Sequence, residues 1–84
     1  MATLNFVENA EAIYNKSISA TPILFRSNTR EGLTQLLLDQ FGEEGEIDEA
    51  AIVAVIKEHT PRPFLGRGMK AIKPLLSDPS LAEY

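Results

Sequence analysis

Arg26 and Arg30 follow directly on an apolar, proline-opened stretch, Thr21-Pro22-Ile23-Leu24-Phe25, and no other groups in the chain are as well suited to recognition chemistry. A guanidinium fork matches a carboxylate or phosphate bidentately, and residues four apart on a helix share a face. Two uses are open: contact with a partner, or pairing of Arg26 with Glu11 or Glu31 inside the domain. Catalytic groups are scarcer. The chain has a single histidine, His59, and no cysteine, so its sequence contains neither the ligand spacing of a zinc site nor a thiolate nucleophile. His59 is expected at a helix end, meeting the last carbonyls. The acidic run Glu43, Glu44, Glu46, Asp48 and Glu49 lacks the alternating order and distal glutamate of a calcium loop, and reads as solvated charge. No serine or threonine has a base and an acid placed to activate it, and no glycine-rich phosphate loop is present. These residues point to a non-catalytic binding module with neither metal nor cofactor.

Composition sets the frame for such a module. A chain of 84 residues makes one domain. At that size only about 60% of the unfolded surface is buried, so the core is marginal and a partner can complete it. An apolar share of 44% with 24% charged residues is that of a folded chain. The absence of cysteine fits a reducing, cytoplasmic compartment. No stretch approaches the roughly 18 apolar residues of a membrane span, and the first residues lack the basic-then-apolar pattern of an export signal. The net charge of −4 argues against nucleic acid, whose binding rests on clustered cations. Charge is nonetheless divided, because Lys57, Arg62, Arg67, Lys70 and Lys73 follow the acidic middle of the chain and could meet an acidic protein surface.

The elements that position these groups are helical. Phe6, Ala10, Ile13, Tyr14 and Ile18 recur at helical steps, predicting a first helix over about residues 6–19 with Asn5 and Glu8 as its capping box. Pro22 ends it, and then opens a new turn capped by Thr21. A second helix is expected after Thr29, with Leu33, Leu36, Leu37 and Phe41 facing inward and Gly42 as terminator. Gly32 costs that helix about 1 kcal/mol relative to alanine, explained either by close approach of another backbone or by tolerance near a helix end. The third helix has the clearest start: Asp48 as cap, Ile47 stapling onto Ile52, then an apolar run closed by His59, Thr60, Pro61 and Pro63. So apolar a helix is either central to the fold or covered by a partner. From Pro63 onward the pattern weakens to a short helix from Arg67 to Lys73 and a last turn capped at Asp78. The expectation is a small all-α, three-helix domain over residues 1–62. A short fourth helix or an extended apolar and basic tail over residues 63–84 would fold back on the domain or lie along a partner.

Docking on a larger protein would use Leu24, Phe25, Arg26 and Arg30 at the turn, extended by Phe64, Leu65, Arg67 and Met69 in the tail. Ala12 and Ile18 in a first helix, then Pro22, Phe25-Arg26, Arg30, an apolar helix, and Gly45 with Ile47 before a third helix form a progression over about residues 9–60. It resembles the small domain that ends the B subunit of light-independent protochlorophyllide reductase, of which stand-alone versions exist. The chain departs from that pattern in lacking an early tryptophan, in carrying Gly32 and Leu33 where basic residues are usual, and in continuing past Thr60. The resemblance implies a nitrogenase-associated accessory module, free of catalysis, that docks on the molybdenum-iron component of a nitrogenase-family reductase and stabilises or protects it. An alternative it also implies is a tetrapyrrole or small-molecule binding module linked to protochlorophyllide reduction. A minor enzyme domain and a DNA-binding trihelical unit fit less well, the latter because the candidate recognition helix Glu49 to Glu58 is apolar and acidic.

Overall fold

Asp48 starts its helix as the sequence requires: its backbone is extended and its Oδ1 accepts the Ala51 amide at 2.8 Å. In the computed structural model, which describes residues 4–83, that helix is α3 (Glu49–His59). It is preceded by β1 (Asn5–Phe6), α1 (Ala10–Ser19), a 3₁₀ turn (Ile23–Phe25), α2 (Arg26–Phe41) and β2 (Glu46–Ile47). It is followed by α4 (Arg62–Ile72) and two further 3₁₀ turns, Lys73–Leu75 and Pro79–Ala82. The architecture is a small all-α domain. The one strand pairing among the described residues is a short parallel ladder, Asn5 with Glu46 and Phe6 with Ile47.

Each helix contributes one stripe to a common core. Ile13 and Ile18 come from α1, Leu33 and Leu37 from α2, Ile52 and Ile56 from α3, and Met69 and Ile72 from α4, all nearly or fully excluded from solvent. Leu36 and Phe41, the other members of the α2 stripe, are partly buried against it. The apolar α3 is central: it packs on both α1 and α2, and places alanines at its exposed positions 50 and 54. Leu76 and Ala82, beyond α4, belong to the same core. A single cluster therefore unites residues on both sides of position 62.

Five local expectations are corrected. Phe6 has helical spacing but lies in β1, because its backbone pairs with Ile47 and its ring meets Tyr14 at 5.2 Å. The Asn5/Glu8 capping box does not form, and α1 starts at Ala10. Instead Glu8 adopts φ 55° and its carboxylate accepts the Glu49 amide at 3.3 Å, so it serves the start of α3 rather than α1. At Pro22 the backbone is extended, the 3₁₀ turn begins one residue later, and the Thr21 hydroxyl donates back to the Ser17 carbonyl in place of capping forward. From that turn α2 begins directly at Arg26, ahead of Thr29. The chain after Pro61 also resumes helix at once. Pro63 occupies the first turn of α4, where the missing amide has no helical partner to lose, and α4 is a full 11-residue helix.

Polar closure of one end of the bundle accompanies these changes. Glu49, buried in the first turn of α3, accepts hydrogen bonds from the Ser77 amide at 2.9 Å and the Ser77 hydroxyl at 2.8 Å. Asn9 Nδ2 donates to the Leu75 carbonyl at 2.7 Å. The segment after α4 is thus tied to the amino ends of α1 and α3. Asp78 caps the last turn, and the Ser80 hydroxyl and amide together hold its carboxyl below the ordinary 3.8.

Candidate functional site

The other end of the bundle is built by repetition. Pro22 and Pro61 both have extended backbone (ψ 140° and 146°) that takes the chain out of a finished helix. Three residues on, a phenylalanine amide donates back to each proline carbonyl: Phe25 to Pro22 at 2.9 Å and Phe64 to Pro61 at 3.0 Å. Two Pro-x-x-Phe turns therefore lead into α2, through the 3₁₀ turn, and into α4 directly, and both phenylalanines line one cleft. The cleft, of about 440 Å³, lies where α1 and α3 end and α2 and α4 begin. Its walls are mostly apolar, including Leu33 and Ile56. Among the described lining residues there is no carboxylate, and the basic groups are Arg67 and His59.

Glycine at position 32 makes one wall possible. A Cβ there would stand 2.4 Å from His59 Cε1, so the imidazole approaches α2 with its Cε1 edge more closely than a larger residue at 32 would allow without moving it. Of the two readings the sequence left open at Gly32, close approach of another backbone or tolerance near a helix end, neither holds as stated: the position lies inside α2, and what approaches it is a side chain. His59 is the last residue of α3, as expected, but among the described residues its ring meets Gly32 and makes no hydrogen bond to the last carbonyls of the helix.

The predicted docking residues separate into three groups. Leu24 (85% exposed), Phe25 (55%) and Phe64 (46%) are strongly exposed, joined by Ile23 (77%), which sequence reasoning passed over. Arg67 is exposed and lines the cleft, whereas Arg30 is exposed on α2 outside its lining. Arg26 is engaged internally, though with neither Glu11 nor Glu31: its guanidinium donates to the Thr21 and Ser19 carbonyls, both at 2.8 Å, closing the carboxyl end of α1. Leu65 is half-buried against the core. Met69 is corrected from surface to core, since the face of α4 that carries it with Ile72 is the one turned inward. The repeated Pro-x-x-Phe spacing was a legible signal for Ile23, Phe25 and Phe64 together; nothing local marked Asn28, Thr29 or His59 as neighbours in one cleft.

No family model, curated protein or solved structure matches this chain. Among the described residues no helix is long and apolar enough to cross a membrane, and no three metal-ligating side chains come together.

Proposed function

We propose that this domain is a non-catalytic accessory protein that docks on a larger reductase through the edge formed by Ile23, Leu24, Phe25 and Phe64. The carrying observation is their exposure at the end of the bundle where both proline turns emerge. Full burial of each such side chain is worth about 1.5–3 kcal/mol, so a partner that covers all four gains several kcal/mol that the free domain forgoes. Arg30, Arg62 and Arg67 are exposed on the amino-terminal halves of α2 and α4, which favours an acidic surface on the partner. Following the resemblance in the sequence, the partner is a nitrogenase-family reductase of the molybdenum-iron type. The role is that of a nitrogenase-associated protein such as factor T, stabilising or protecting the catalytic component.

Binding of the purified domain to purified molybdenum-iron protein, followed by interferometry, tests this reading. The wild-type domain is expected to bind, and Leu24→Asp/Phe64→Asp to lose binding while keeping its helical circular dichroism. Absence of wild-type binding, or equal binding by the double variant, refutes the proposal. Arg26 is a poor probe for this purpose, because its removal also opens the end of α1.

A further inference from the structure

We infer that the cleft between the two Pro-x-x-Phe turns is a binding site for a small amphiphilic monocarboxylate: an apolar body, aliphatic or single-ringed, bearing one anionic head. The inference goes beyond the docking proposal and does not rest on it. Its first support is shape. Four helix ends converge on a concavity of about 440 Å³, within the roughly 300–1,000 Å³ typical of small-molecule sites and toward its lower end. A flat recognition edge such as Ile23 and Leu24 needs no such hollow behind it.

Its second support is the composition of the wall. Phe25, Phe64, Leu33 and Ile56 offer an aromatic and aliphatic lining that favours a hydrocarbon body over water. The protein has 12 acidic and 8 basic residues, yet among the described residues none of the acids reaches this wall while Arg67 does. The hydroxyls of Ser17 and Thr21 donate to α1 carbonyls, leaving Asn28, Thr29, His59, Thr60 and Arg67 to meet a polar head, of which only Arg67 carries a permanent positive charge. Arg67 offers the fork that fits a carboxylate, and with no wall carboxylate to compete for it, an anion is preferred over a neutral or cationic head.

The test uses sodium octanoate, 1-octanol and octylammonium chloride titrated into ¹⁵N-labelled full chain, read by amide shifts in two-dimensional NMR. Octanoate is expected to saturate with shifts centred on Gly32, Gly68, Phe25 and Phe64, and to bind about tenfold tighter than octanol, the worth of one charge-assisted hydrogen bond. Octylammonium should bind weakest. In Arg67→Gln, whose altered side chain is exposed, the octanoate advantage should vanish while octanol binding stays as it was. Equal affinity for the three heads, shifts centred away from the cleft, no saturation, or an octanoate advantage that survives Arg67→Gln each overturns the inference. Leu24→Asp separates this site from docking: it should remove binding to the reductase and leave octanoate affinity unchanged.

Discussion

The two ends of the helix bundle use the same materials and are finished in opposite ways. At the end where α1 and α3 begin, the helix starts are closed by satisfied polar groups: Asp48 caps α3, Glu8 reaches the Glu49 amide, and the buried Glu49 carboxylate holds both donors of Ser77. At the end where α1 and α3 finish, two prolines turn the chain outward, and four large apolar side chains stay in water around a cleft. Closure at one end fastens the terminal segment to the core, while the open end adds little to the domain's own burial. On the docking proposal, stability and recognition fall to different regions of an 84-residue chain, in which almost any apolar side chain would otherwise be needed inside.

The sharpest way to break this division is to exchange the consequences of its residues. Met69→Ala removes a side chain 2% exposed within the core and is expected to cost about 2–5 kcal/mol, enough to unfold much of a domain this small. Leu24→Ser, at 85% exposed, should change stability by no more than about 0.5 kcal/mol. Urea unfolding followed by circular dichroism measures both. Comparable losses would mean that the open end is part of the folding unit after all.

Closure itself is tested by Glu49→Ala. The substitution removes the acceptor for two hydrogen bonds from Ser77 and a carboxylate placed at the positive end of α3. Losing hydrogen bonds to a charged group is expected to cost about 1.5–3 kcal/mol, with hydrogen-exchange protection falling at Leu76 and Ser77 before the centre of α3. If protection falls uniformly instead, the terminal segment is held by its apolar contacts, Leu76 and Ala82, and the polar clasp is incidental.

What the sequence revealed follows the same division. The start of α3 was legible because its cap, Asp48, and its first-turn acid, Glu49, act within a few residues. Gly42, at φ 68°, was legible for the same reason. The start of α1 was misread because Phe6 answers to Ile47, a partner far along the chain, and that contact overrides a helical spacing that is present in the residues. For α4, two prolines read as a stop are a start, since proline interrupts a helix only once an amide is needed. The cleft escaped sequence reading altogether: it exists only when the ends of α1 and α3 meet the beginnings of α2 and α4. Its local traces, Gly32 and the two Pro-x-x-Phe turns, gain meaning through that meeting.

Gly32 gives the smallest effect and the finest probe of the open end. In a helix interior alanine should be about 1 kcal/mol better than glycine, and position 32 lies well inside α2. The added methyl would sit 2.4 Å from His59 Cε1 and 2.9 Å from Nε2, so the imidazole has to move. The atoms in its way are the far end of a side chain on a cleft wall, which can swing toward open space, so the fold survives and the gain is offset. Gly32→Ala alone is therefore expected to be near neutral, whereas in a His59→Ala background the same change should stabilise by about 1 kcal/mol. The difference between the two, read from a double-mutant cycle of urea midpoints, is the coupling between ring and glycine. A full gain for Gly32→Ala with His59 intact would show that the ring does not rest on α2, and the wall it is assigned to would have to be redrawn.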